Sequence, residues 1–299
     1  MNNRFRVEFL TIILFLISLG MAKAQNNDHD DEFNLDRTYK ISENGTLHLQ
    51  SSDAHVRIHG TNRNDVHVFV KYTLDMDGFN LRKIKHFRMN VDERNGDLYI
   101  GEREDRKVSF LGIGHIKEAY TINIETPMGV SLDIKGDDDD YSIDNLTGNI
   151  KVAANDGDVS VERYSGNELN VNLDDGNLEV IGGHGKLISK IEDGSIDVRN
   201  GRYKEIDTQS GDGSIRIDTD LDDQGYYRME SNDGDIVFTV LSGGGSFNVR
   251  HGDGNVSVST GFTGGGSKNE DEKDYQLTGG NAQVRIITDD GFVRLNSNK

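Results

Sequence analysis

One short phrase recurs along the second half of the chain and limits what it can fold into. Asp156-Gly157 is followed by Asp175-Gly176, Asp193-Gly194, Asp212-Gly213, Asp233-Gly234, Asp253-Gly254 and, after a gap, Asp290-Gly291. The steps are 19, 18, 19, 21, 20 and 37 residues. A period near 20 is the mark of a repeat architecture, in which each unit is one supersecondary element that needs its neighbours to bury its apolar side.

Counting from each Asp gives the unit. Three and five residues later come apolar pairs such as Val159 and Val161, Ile196 and Val198, and Val293 and Leu295. Six and four residues earlier come Ile150 and Val152, Leu169 and Val171, Tyr227 and Met229, and Phe247 and Val249. Both sets alternate with period 2, so each unit holds two short strands with one buried face. The inward parity changes at the phrase, so the chain must turn there. Asp suits an Asx-turn and Gly a positive φ. The expected fold is all-β: a single-chain parallel β-solenoid (β-helix) of about ten coils. It carries one short helix and loop insertions near the N-terminus.

The same register appears earlier in weaker form, around Asp53-Ala54, Asn95-Gly96 and Asp138-Asp139. Between these lie the insertions, near 74–88 and 101–118, with a third near 259–280. Leu81, Ile84 and Phe87 stand three apart with basic residues between them, which predicts a short amphipathic helix over 77–87 capped by Asp77. The stretch 102–116, with Phe110, Leu111, Ile113 and Ile116, reads as a cover for the core or a partner patch. Gly264-Gly265-Gly266-Ser267 and the acidic run after it read as a flexible loop. The last strand is followed directly by Lys299, which predicts an open edge able to pair edge to edge with another copy.

Residues 1–24 read as a signal peptide. Arg4 and Arg6 precede an apolar run over 10–19, and Ala22-Lys23-Ala24 supplies small residues for cleavage. Residues 25–40 read as an acidic leader and N-terminal cap, and 41–299 as the repeat domain. The run is short for a membrane span, so no transmembrane segment is expected after cleavage. No cysteine follows it to carry a lipid anchor. The expected location is exported: periplasm, outer surface or medium. The chain carries 33 basic and 52 acidic residues, a net charge of −19, which argues against nucleic acid and anionic membrane surfaces as partners.

The order of parts resembles a known family. An extended N-terminal region leads to "TPMGVSLDIKG", then to tandem "NDGDVSVERYSG", "EDGSIDVRNG", "GDGSIRI" and "SNDGDIVF", and finally to "TGGNAQVRIITDDGFVRL". This resembles the bacterial putative-adhesin β-strand-repeat family, a domain of unknown function in exported proteins of the Bacteroidetes. The resemblance implies a β-solenoid and an envelope or secreted location. It brings no catalytic motif to carry over.

No catalytic, cofactor or metal site is expected. Stacking would put the phrase aspartates in one column ~5 Å apart. Calcium is the natural candidate for such a column, but the nine-residue motif of calcium-binding β-rolls is absent. The aspartates are read as turn residues. His48, His55, His59 and His67 lack the convergent set that zinc needs and are read as exposed polar residues. The outward positions five before the turn are Lys151, Asn170, Ile188, Asp207, Arg228, Asn248 and Arg285. They show no paired carboxylates of glycosidase type. Tyr164, Tyr203 and Tyr226 sit at different offsets and predict no aromatic column. The reading is a non-catalytic adhesin or cell-envelope interaction module with an envelope, glycan or protein ligand. The alternatives are a carbohydrate-active β-helix enzyme and a calcium-stabilised scaffold.

Overall fold

The computed structural model describes residues 31–83, 86–103, 108–269 and 271–298. The expected signal peptide, residues 25–30 of the leader and residues 104–107 of the second insertion lie outside these. Twenty-four strands and no helix are found among the described residues. The N-terminal part comprises β1 (Asp31–Lys40), β2 (Thr46–Gln50), β3 (His55–Thr61), β4 (Asp65–Lys83), β5 (Met89–Arg94), β6 (Asp97–Glu102) and β7 (Val108–Pro127). The regular repeats follow as β8 (Ser131–Lys135), β9 (Asp140–Asp144), β10 (Ile150–Asp156), β11 (Val159–Glu162), β12 (Glu168–Asp175), β13 (Leu178–Ile181), β14 (His184–Asp193), β15 (Ile196–Ser210), β16 (Ile215–Asp220), β17 (Tyr226–Ser231) and β18 (Ile236–Ser242). The last part comprises β19 (Gly245–His251), β20 (Val256–Val258), β21 (Phe262–Asn269), β22 (Glu272–Leu277), β23 (Ala282–Thr288) and β24 (Val293–Ser297).

The strands form two ladders, one on each side of the Asp-Gly corner. Strands before the corner give the order β5-β6-β2-β8-β10-β12-β14-β15-β17-β23-β19-β22-β21. Strands after it give β1-β4-β7-β3-β9-β11-β13-β15-β16-β18-β24-β20. The long β15 runs through both, so the whole counts as one mixed assembly. Between the ladders lies the core. Leu47, Leu132, Ile150, Leu169, Leu187, Ile206, Tyr227, Val284 and Phe247 are aligned by register on one side and all buried. Val56, Tyr141, Val159, Leu178, Ile196, Ile215, Ile236 and Val293 are aligned and buried on the other. Alternation alone produces this, since every second side chain of a strand leaves the same face.

A single parallel solenoid of about ten coils with a short helix does not form. Antiparallel pairs flank both ends: β1 with β4, β4 with β7, β5 with β6, and the hairpin β21–β22 packed on β19. Nor does the stack keep chain order. β23 and β24 enter between β17 and β19 and between β18 and β20, so the last unit is interior and forms no open edge. The exposed edges at that end are β20 and β21, each paired on one side among the described residues. The described part of the expected helix, 77–83, is the end of β4, paired antiparallel with β7; Ile84 lies outside the described residues. The spacing of Leu81, Ile84 and Phe87 is a local signal, and it is overridden by pairing with a segment distant in the chain. Phe87, assigned to the same helix, is buried and stacks on Tyr72 at 4.2 Å. Asn95-Gly96 is no corner either. Both residues have positive φ (54° and 91°), and they close the antiparallel turn from β5 to β6 as Asn-Gly does in hairpins. The glycine-rich segment and the acidic residues after it form β21 and β22 instead of a loop; residue 270 lies outside the described set.

The true corners share one contact. A Cβ placed on Gly176 would lie 2.1 Å from the carbonyl oxygen of Gly157, and one on Gly194 would lie 1.8 Å from that of Gly176. The same close approach links Gly213 to Gly194, Gly234 to Gly213, Gly291 to Gly234 and Gly254 to Gly291. Conformation is a second requirement at only part of the column. Gly157, Gly176 and Gly194 have φ of 117°, 137° and 153°, whereas Gly213, Gly234, Gly254 and Gly291 lie outside the left-handed region. The residue three before the glycine tracks this division. It is apolar before the first group (Ala154, Leu173, Ile191). Before Gly213, Gly234 and Gly291 it is Ser210, Ser231 or Thr288, whose hydroxyl accepts the glycine N–H at 3.0, 2.9 and 3.0 Å. In the apolar version the Gly157 and Gly176 N–H groups bond the carbonyls of Asp175 and Asp193 in the next unit. Buried N–H groups must be satisfied, and the two corner types do so differently. The phrase aspartates themselves are exposed at all seven corners.

The column ends at Asp139, which occupies the glycine position of its corner and is buried. Its carboxylate accepts the Ala54 N–H at 2.7 Å, the Tyr141 hydroxyl at 2.9 Å and the Asp137 N–H at 3.2 Å. Burial outweighs these bonds and pushes its pKa above the usual carboxylate value.

Two outcomes test these corners. Gly213→Ala should lower stability by about 1–3 kcal/mol through overpacking alone, since its φ is ordinary. Gly266→Ala, with nothing within 4 Å of the new Cβ, should be near neutral by the same urea-unfolding measurement. For Asp139 the folded pKa lies above the unfolded 3.8, so its contribution is fully present below that value and is lost as pH rises through the folded pKa. Stability of wild type relative to Asp139→Asn should therefore decline across that window, and equal slopes for both proteins would contradict the assignment.

Candidate functional site

Inward positions are filled with core, so ligands must meet the outward ones. On the first ladder the outward positions align into rows that run across the strands. One row is Asp207, Arg228, Arg285, Asn248 and Asp274, on β15, β17, β23, β19 and β22. The neighbouring row is Tyr226, Gln283, Ser246, Gln276 and Thr263, on β17, β23, β19, β22 and β21. The second row, with Arg285, Asn248 and Asp274 of the first, lines a groove of about 760 Å³, whose walls also include Glu272 and Gly264. The size lies within the range of small-ligand sites.

Its electrostatics follow from the pairings. Arg228 is held by Asp207 at 3.1 Å and by Glu230. Asn248 Nδ2 donates to Glu272 Oε1 at 2.7 Å and Asp274 Oδ1 at 2.8 Å, which ties the hairpin to β19. Phe262 packs edge-on against Phe247 at 5.1 Å beneath it. Arg285 makes no ion pair among the described residues. Tyr226 is 40% exposed, one of two large apolar side chains so exposed among the described residues. Tyr164 and Tyr203, by contrast, are buried in the core.

A smaller groove of about 340 Å³ lies toward the other end of the same ladder, lined by His48, Tyr99, Asp92, Arg94, Asp133 and Lys135 among others. Its aromatic surface is already covered. The His48 ring stacks on Tyr99 at 4.3 Å, and the Arg94 guanidinium sits 5.1 Å from the Tyr99 centroid. A third hollow of about 350 Å³ follows the corner beside Asp193 and Asp212.

The histidines do not converge. His48 contacts Asp133 at 3.0 Å, His55 contacts Asp140 at 3.2 Å, His59 contacts Asp144 at 2.9 Å and His67 contacts Asp36 at 2.7 Å. Among the described residues no group of three or more His, Asp or Glu side chains could hold a metal ion. At the corner, the Asp138 carboxyl is raised above its usual value, first by desolvation and then by the charges of Asp137, Asp156 and Asp53. The two raised carboxylates, Asp138 and Asp139, belong to the corner column and not to the groove.

The outward positions of β17, β19 and β23 are legible from the repeat register. Their neighbours are not. Chain order puts Asn248 beside Arg228, but β23 enters between them and makes Arg285 the neighbour of both. The hairpin residues Thr263, Glu272, Asp274 and Gln276 carry no repeat signal at all. Only their polar, alternating character from Lys273 to Leu277 hinted at a strand.

A family model described as Toastrack DUF4097 matches residues 44–296. Solved structures to which the chain is similar include a "putative adhesin" from Bacteroides fragilis, 14% identical, covering 88% of this chain and 97% of that one with a TM-score of 0.47. A "putative adhesin" from Parabacteroides merdae is 13% identical over 90% and 97%, with a TM-score of 0.46. A "putative lipid binding protein" from Parabacteroides distasonis is 12% identical over 90% and 97%, with a TM-score of 0.35. No curated protein matches the chain.

Replacing Asn248 by Ala should loosen β21 and β22 without unfolding the ladders. It removes two charge-assisted bonds and leaves Glu272 and Asp274 without their shared donor, at a cost of about 1–3 kcal/mol. Faster hydrogen exchange and proteolysis confined to 262–277 would be the signature.

Proposed function

The chain belongs to the Toastrack family of domains of unknown function, and from that premise we propose that it is a non-catalytic, exported binding module of adhesin type. Its ligand contacts lie on the outer face of the ladder that holds β17, β19, β22 and β23. The observation that carries this reading is the groove over that face. It crosses five strands and is lined by polar side chains and one exposed ring. Rigid strands hold these groups in place, so binding needs little ordering of the protein.

The arrangement supports binding rather than turnover. The groove carboxylates Glu272 and Asp274 both accept from the Asn248 amide, which ties them into the wall of the groove. The acidic balance of the chain and its net charge of −19 favour neutral ligands, or anionic ones met by a local cation, over polyanions. The signal-like sequence over residues 1–24 supports export.

Co-sedimentation decides this. The purified chain should be retained saturably by isolated sacculi or outer-membrane vesicles, and the same material should show no released reducing ends after long incubation. Turnover of a glycan or ester would overturn the reading, as would absence of retention by every envelope fraction.

A further inference from the structure

We propose that the groove over β17, β23, β19, β22 and β21 takes an oligosaccharide, with Tyr226 as the stacking platform and Gln283, Ser246, Gln276 and Arg285 as the groups that read its hydroxyls; this rests on the binding-module reading above. The occupant is set by the chemistry of the lining. Gln283, Ser246 and Gln276 form one continuous row beside Tyr226, and their side chains make no hydrogen bond to protein among the described residues. Each amide offers both donors and an acceptor, and each hydroxyl offers both roles. A ligand dense in hydroxyl groups can match such a row, because its own groups also donate and accept.

Other occupants leave groups unmatched. A lipid chain would bury the amides and the Arg285 guanidinium without partners, at about 1–3 kcal/mol for each polar group. A peptide adding as a strand needs free backbone N–H and C=O groups. On this face those are spent in the ladders between β17, β23, β19 and β22. Such a peptide would have to choose the edge of β21, outside the row. A polyanion meets Glu272 and Asp274 in the groove wall and the acidic protein beyond it.

Tyr226 supplies what a sugar ring needs besides hydrogen bonds. Its ring is 40% exposed and pairs with no other aromatic ring among the described residues, so an apolar sugar face can cover it. The corresponding ring in the smaller groove, Tyr99, is already covered by His48 and Arg94 and leaves no comparable platform there. Arg285 is the cation of the lining and has no ion pair among the described residues, whereas its row neighbour Arg228 is held by Asp207 and Glu230. Its planar fork can donate two bonds to vicinal hydroxyls or to one sugar carboxylate.

The experiment is a glycan array probed with the full purified chain, carrying neutral and uronate-containing oligosaccharides, followed by titration of the best ligand. Tyr226→Ala and Arg285→Ala should each weaken its Kd about tenfold or more, as loss of a stacking ring or a charged donor does. Tyr226→Phe should stay within about threefold, since the ring remains. Tyr99→Ala should leave the Kd unchanged. A ligand that loses affinity in Arg285→Ala only when it carries a carboxylate identifies the acidic sugar; equal loss for neutral ligands identifies vicinal hydroxyls. An array without any bound glycan overturns the saccharide assignment, as does a Kd that neither groove variant moves. Retention by sacculi or vesicles separates the two levels: if it persists while the array stays empty, the module reading stands and the saccharide falls; if it too is lost, both fall.

Discussion

A backbone carbonyl of each unit occupies the place where the next unit would put a Cβ. That contact repeats from Gly157 through Gly176, Gly194, Gly213 and Gly234 to Gly291 and Gly254, and the rest of the structure is spaced by it. Strands on both sides of the corner pair at the ordinary ladder distance only if the corners approach that closely. The aspartate of the phrase is exposed and sits in the turn as a polar residue. The glycine is the member the close approach selects, and Asp139 at the end of the column is the exception. The residue three earlier bears on how the glycine N–H is satisfied: by a hydroxyl at Ser210, Ser231 and Thr288, or, at Gly157 and Gly176 where that residue is apolar, by a carbonyl of the next unit.

A stack spaced in this way has ends, and ends expose unpaired strand edges. Antiparallel pairs take up that role here. At one end β4 and β1 continue the second ladder past β7, while β5 and β6 close the first with an Asn-Gly turn. At the other, the β21–β22 hairpin folds onto β19. Entry of the last unit between its two predecessors places the C-terminal strands inside the assembly. The same rearrangement builds the groove, because it brings Arg285 and Gln283 between Tyr226 and Asn248 and lays the hairpin alongside.

Particular residues show how far a sequence reading reaches. Period-2 alternation on both sides of the phrase is a local signal, and it correctly assigns inward positions such as Ile150, Leu169 and Tyr227 and outward ones such as Arg228 and Asn248. The expected helix fails because the spacing of Leu81, Ile84 and Phe87 is a local signal, which long-range pairing of β4 with β7 overrides. The Asn95-Gly96 corner fails because the same dipeptide chemistry serves hairpins and corners alike. Tyr226 looked like one of three scattered tyrosines; burial of Tyr164 and Tyr203 and exposure of Tyr226 separate them, and burial is a property of the packed state.

The sequence by itself determined the alternating strands of the repeats, the two-strand unit and the corners from Asp138-Asp139 onward, because alternation and glycine at a fixed period act within about twenty residues of one another. Only the tertiary structure decided which unit stacks on which, where strands run antiparallel and which polar side chains become neighbours. Those choices are made by pairing between segments far apart in the chain, such as β17 with β23, whose backbone bonds carry no side-chain signature. The binding face is of this second kind: its residues are readable one strand at a time, and their juxtaposition exists only once the ladders have assembled.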